Sequence, residues 1–150
     1  MAAAVADTGR TCALDPGRAR VGLAIDDELG LLAHPRGTLD PRDPKAFAAR
    51  LRELADAENV SRFIVGLPLH LGGAEGTAAR DARALAQVVA DATGRIVEMW
   101  DERLSTVQAQ RALSASEVRG AKARARIDEA AACAILQSWL DARRARRGAR

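Results

Sequence analysis

Apolar positions in this chain alternate between short runs and longer amphipathic stretches, and each kind predicts a different element. Thr11–Leu14 and Val21–Ile25 flank Asp15-Pro16-Gly17-Arg18-Ala19-Arg20; two brief apolar runs across a Pro-Gly turn predict a β-hairpin. Leu29–Thr38 predicts a third strand after the turn Asp26-Asp27-Glu28, with the prolines at 35, 41 and 44 ending regular structure beyond it. From Pro44 to Glu58 the apolar residues Phe47, Leu51, Leu54 and Ala55 recur at helical spacing behind a proline suited to a helix start. Arg62–Gly66 is too short for a helix and reads as a buried strand, followed by a glycine-rich loop over Leu69–Gly76. Thr77–Ala92 predicts a helix closed by Gly94, Arg95–Trp100 a strand, and Leu104–Leu113 a helix with Ser105 or Thr106 as its cap. Ser114–Arg126 lacks an apolar stripe and reads as a mobile loop, and Ile127–Ala142 as the last helix. Hairpins first and crossover helices later give an α/β domain, a mixed five-stranded sheet flanked by helices.

Length and charge narrow this picture. The 150 residues suit one domain over 11–142, with flexible ends over 1–10 and 143–150. Aromatic residues are limited to Phe47, Phe63, Trp100 and Trp139, so Ala, Leu, Val and Ile must build the core. The net charge of +3 comes from the tail: Arg143–Arg150 carries five arginines, and the remaining 18 basic side chains face 20 acidic ones. A case for a nucleic-acid partner therefore rests on local clusters. The tail itself suits either a solubilising segment or a nucleic-acid arm. Cys12 and Cys133 have no metal-finger spacing and fit reduced thiols. Met1–Gly9 lacks the features of a signal peptide and no stretch has the length of a membrane span, so a cytoplasmic protein without a membrane partner is expected.

Three acids stand where strands or helices begin or end. Asp15 follows the first strand, where a carboxylate can project above the sheet toward a hard cation, although a turn aspartate before proline is also common. Asp101-Glu102-Arg103 follows Trp100 directly; this places a second carboxylate at a strand end, or else makes a solvated turn with a Glu–Arg pair. Asp128 heads the face shared by Ala131, Ala132, Ile135 and Trp139, and is either a ligand aimed at the core side or a first-turn acid favoured by the helix dipole. Acids converging from distant segments are what a metal-dependent phosphodiesterase site requires. Arg18, Arg20, Arg103, Lys122, Arg124 and Arg126 lie near these acids in sequence and suit phosphate contacts, or in the 122–126 stretch a solvated loop. His34 and His70 lie beside no nucleophilic Ser or Cys motif, so covalent catalysis has no evident machinery.

Four segments in order resemble the YqgF/RuvX family. Asp15-Pro16-Gly17-Arg18-Ala19-Arg20-Val21-Gly22-Leu23-Ala24 is similar to its opening Asp-x-Gly-x-x-Arg-x-Gly-x-Ala, and Gly66-Leu67-Pro68-Leu69 with Gly72-Gly73-Ala74-Glu75-Gly76 to its Gly-Leu-Pro loop. Asp101-Glu102-Arg103-Leu104-Ser105-Thr106 resembles its Asp-Glu-Arg-Leu-[Ser/Thr]-Thr segment. Ile127-Asp128-Glu129-Ala130-Ala131 with Ile135-Leu136-Gln137-Ser138-Trp139-Leu140 resembles its last helix. The resemblance implies an RNase H-like fold and a nuclease using Mg²⁺ or Mn²⁺, with Asp15, Glu102 and Asp128 as the carboxylates. It implies maturation of the 5′ end of 16S ribosomal RNA or, on kinship with resolvases, cleavage of four-way DNA junctions, for which a homodimer is expected. A non-catalytic binding module of the same fold is the remaining alternative. In related resolvases the second acid stands on the strand beside the first, here Phe63–Gly66, which has none. Glu102 must then reach inward across roughly 10 Å of sheet, or Asp101 or Glu75 takes its place.

Overall fold

The computed structural model describes residues 8–17, 19–114 and 120–148. Its elements are β1 (Arg10–Pro16), β2 (Val21–Asp26), β3 (Ala33–Leu39), α1 (Pro44–Ala57), β4 (Val60–Leu67), α2 (Thr77–Thr93), β5 (Ile96–Asp101), a 3₁₀ turn (Glu102–Leu104), α3 (Val107–Ser114) and α4 (Gly120–Gly148). The strands form one mixed sheet in the order β3-β2-β1-β4-β5. β2 is antiparallel to β1 and β3, whereas β1, β4 and β5 run parallel. The expected fold class is what the chain adopts. No helix among the described residues is long and apolar enough to cross a membrane.

The period-two alternation of the strands divides the core. Cys12, Leu14, Leu23, Ile25, Phe63 and Val65 pack on one face with Phe47, Leu51 and Ala55 of α1 and Ala79, Ala82 and Val89 of α2. Ala13, Ala24 and Ile64 face the other way, against Ala131, Ala132, Ile135, Leu136, Trp139 and Leu140 of α4. Asp15 has the parity of Ala13 and Gly22 that of Ala24, which puts both beneath α4. Apart from Ile64, that side of the sheet carries small residues at Ala13, Gly22, Ala24 and Gly66. A Cβ at Gly66 would lie 2.6 Å from Ile135 Cδ1, so α4 rests on the strands more closely than a sheet lined by Val and Ile would allow.

Local signals set several boundaries. The Asp43 carboxylate accepts from the amides of Lys45 and Ala46 ahead of Pro44, capping α1, and Gly94 closes α2 at φ +66°. Leu29–Leu32 lies outside the third strand: Asp27 accepts from the amides of Leu31 and Leu32, holding them in a turn. The strand starts at Ala33, whose amide donates to Gln137 Oε1, and its edge position accommodates Pro35. The expected helix over Leu104–Leu113 is split at Ser105, whose hydroxyl donates to the Glu102 carbonyl and accepts from the Val107 amide.

Two basic segments differ from expectation. Of the stretch read as a loop over Ser114–Arg126, Gly120–Arg126 forms the first turns of α4, while 115–119 lies outside the described residues. Ala, Lys and Arg are strong helix formers, and these turns need no apolar stripe because their side chains are mostly exposed. Arg143–Gly148, expected as a flexible tail, continues the same helix. Arg143 stacks 4.6 Å from the centre of the Trp139 ring, with Arg62 at 5.6 Å. Truncation before Arg143 should therefore cost about 0.5–2 kcal/mol of stability more than truncation after it; equal melting temperatures for the two truncated proteins would show that the stacking contributes nothing.

Candidate active site

Asp15 is 2% exposed at the end of β1, where it pairs with Gly22 across the hairpin. Gly22 is the seat of α4. A Cβ there would lie 2.1 Å from the Asp128 carbonyl oxygen and 3.1 Å from its Cβ, so the absence of a side chain lets Asp128 settle beside the strand that carries Asp15. Gly17 is close to the same carboxylate, its Cβ position 3.4 Å from Asp128 Oδ1. Sheet pairing thus brings together two acids more than a hundred residues apart.

Glu102 reaches this place from the sheet edge. β5 is two strands away from β1, but the chain turns at Asp101 into the 3₁₀ segment and leaves Glu102 buried at 3% exposure. Arg111, on α3, joins the two buried acids. Its Nη1 donates to both Glu102 oxygens at 3.1 and 3.2 Å, and its Nη2 donates to Asp15 Oδ1. The two alternative acids are turned elsewhere, Asp101 to Arg103 and Glu75 to Arg83, each at 2.7 Å.

Electrostatically the centre holds more negative than positive charge. Burial pushes the Asp15 carboxyl above its ordinary range; Arg111 opposes that rise and the Asp128 charge adds to it. Burial also raises Asp128, against Arg20 and Arg111. For Arg111 burial works toward deprotonation, but Asp15 and Glu102 outweigh it and hold the guanidinium charged. Asp15 and Glu102 share this guanidinium, and Asp128 has only a distant contact to Arg20 at 3.9 Å. Oxygen donors with excess negative charge suit a hard divalent cation. Among the described residues no group of three His, Cys, Asp or Glu side chains is already gathered in metal-ligating geometry; Arg111 lies between two of the acids.

The basic residues separate by position. Arg20 stands over the site, its Nη1 donating to the Ala121 carbonyl at 3.1 Å and its Nε facing Asp128. Arg103 is held by Asp101 and donates to the Leu71 carbonyl, tying the 3₁₀ turn to the loop after β4. On α4, Arg124 is one turn before Asp128 and shares its face, whereas Arg126 points oppositely and lines a groove of about 720 Å³ with Ala33, Leu104 and Cys133. Lys122 is exposed, and Arg18 lies outside the described residues.

Arg111 is the contributor that the sequence did not single out, whereas Gly17 and Gly22 stood there only as motif positions without a stated role. The signal for Arg111 was available: it follows Val107 by four residues, so a charge occupies the inward face of a short helix whose Val107 is fully buried.

Against known proteins, the profile of the RuvX family, described as Holliday junction resolvase, matches residues 9–142. A Myxococcus xanthus protein named "Putative pre-16S rRNA nuclease" is 44% identical over 135 residues, covering 90% of this chain and 89% of its own. A Symbiobacterium thermophilum protein of the same name is 43% identical over 133 residues, covering 89% and 92%. Among solved structures, Thermus thermophilus RuvC in complex with a Holliday junction substrate superposes with a TM-score of 0.56 at 17% identity, over 91% of this chain and 96% of that one. That likeness is one of fold.

Proposed function

The chain belongs to the RuvX family, and from that premise we propose that it is a metal-dependent endonuclease of structured nucleic acid, acting on the 5′ region of pre-16S ribosomal RNA. One observation carries this reading: Asp15 and Glu102, from a strand end and a 3₁₀ turn, are bridged by one guanidinium at one end of the sheet, and Asp128 of α4 lies beside the hairpin that carries Asp15. A metal-dependent hydrolase of phosphodiesters needs clustered carboxylates on rigid supports, and a structural ion pair does not need three.

In this reading Asp15 and Glu102 form the buried floor of a divalent-cation site and Asp128 the half-buried wall. Mg²⁺ or Mn²⁺ held there would supply an activated water and polarise the phosphoryl oxygen. Arg20 and Arg124 stand on the open side, where they would meet backbone phosphates; for Arg18 the same role rests on its sequence position two residues before Arg20. The RNA assignment rests on the names of relatives at 40–44% identity. The second reading is cleavage of branched DNA, supported by the family's description and by the RuvC-like fold.

A side-by-side assay on a precursor 16S RNA 5′ end and a synthetic four-way junction, with Mg²⁺ and with chelator, separates these readings. Mg²⁺-dependent cleavage of the RNA alone is the expected result. Cleavage of the junction alone would replace the RNA assignment. Binding without cleavage of either would return the chain to a non-catalytic module.

A further inference from the structure

Arg111 is placed as a cation would be. Its two terminal nitrogens contact different carboxylates, both almost wholly buried, with side-chain exposures of 3% for Asp15 and 4% for Glu102. Its own side chain is 37% exposed, so one flank of the guanidinium faces solvent and has a way out. It is carried by an eight-residue helix anchored inward through Val107. Neither acid has another basic side chain in ion-pair contact among the described residues. Without Arg111, two buried carboxylates would face each other with Asp128 nearby, an arrangement that like-charge repulsion opposes.

We infer that Arg111 is a built-in counter-ion, which occupies the cation position between Asp15 and Glu102 and yields it when a divalent ion binds. This rests on the reading of these acids as cation ligands. A guanidinium spans the two carboxylates with directed N–H donors, but it brings one positive charge where Mg²⁺ brings two, and it takes up the lone pairs a metal must use. The two occupants are mutually exclusive at Asp15 and Glu102. Arg111 therefore keeps the empty site from repelling itself apart, and it sets a threshold that the metal must overcome.

A purely structural bridge and a displaceable counter-ion differ in one measurable respect, the sign of the effect on metal affinity. Mg²⁺ binding is measured by calorimetry, and melting temperature in chelator and in Mg²⁺, for the wild type, Arg111→Ala, Arg111→Lys and Asp15→Asn. Arg111→Ala should melt lower than wild type in chelator, recover most of the difference in Mg²⁺, and bind Mg²⁺ about tenfold more tightly, since an opposing charge at contact distance has gone. Arg111→Lys, which keeps the charge but not the planar fork, should fall between the two and keeps the test available if the alanine protein is unstable. Unchanged or weaker Mg²⁺ binding in both Arg111 variants, while Asp15→Asn still abolishes it, would overturn the counter-ion role and leave the metal site standing. Mg²⁺ binding that Asp15→Asn does not affect would overturn both.

Discussion

Asp15→Asn should give a folded protein whose metal-dependent cleavage falls by at least about a thousandfold, the several kcal/mol of stabilisation that a catalytic metal supplies at roughly 1.4 kcal/mol per factor of ten. Asparagine keeps the size and planarity of a side chain buried at 2% exposure beneath α4, so packing survives. The electrostatic sign favours the variant. Burial raises the Asp15 pKa, so the folded state holds the proton more tightly than the unfolded chain, and the ionised form costs stability as pH rises through the folded value. A neutral side chain removes that cost at neutral pH, offsetting the loss of an anionic partner for Arg111, which still bonds to Glu102. Melting temperature in chelator should therefore stay near wild type while cleavage and Mg²⁺-induced stabilisation disappear. An Asp15→Asn protein that cleaves at the wild-type rate would take Asp15 out of the site. One that fails to fold would make the carboxylate structural.

How much of this was legible in the sequence depends on whether the signal was local. Strands β1, β2, β4 and β5 are short, mainly apolar runs bounded by Pro, Gly or charged residues, and those boundaries place Asp15 and Asp101 at strand ends without knowledge of the tertiary fold. Asp128 was legible as an acid on an apolar helical face for the same reason. Glu102 was legible only through the family motif: next to an edge strand it belongs at the periphery, and its inward position depends on a 3₁₀ turn held by Ser105 and on Arg111, which arrives from the next helix. The start of α4 was illegible because Gly120–Arg126 carries helix-forming residues without the apolar stripe by which amphipathic helices are recognised. The tail misled through composition. Five arginines suggest a flexible solvated segment; Arg144, Arg146 and Arg147 are exposed, yet Arg143 lies over a buried tryptophan and the helix continues past it.

The small residues beneath α4 supply the last expectation. Gly22→Ala adds one methyl group, and its Cβ would stand 2.1 Å from the carbonyl oxygen and 2.4 Å from the carbonyl carbon of Asp128. Those are backbone atoms of a helix, not the far end of a flexible side chain, so α4 or β2 must move. Overpacking of this kind costs about 1–3 kcal/mol, or roughly 2–10 °C in melting temperature for a chain of this size. The displacement falls at the residue that pairs with Asp15, so it separates Asp128 from the other two acids, and Mg²⁺ should lose most of its stabilising effect even in the fraction that remains folded. Gly72→Ala is the matched control, because nothing lies within 4 Å of its Cβ position, and it should match wild type in both measurements. A Gly22→Ala protein with wild-type melting temperature and wild-type response to Mg²⁺ would show that α4 is not seated on β2 at Asp128, and with that the convergence of the three acids would lose its support.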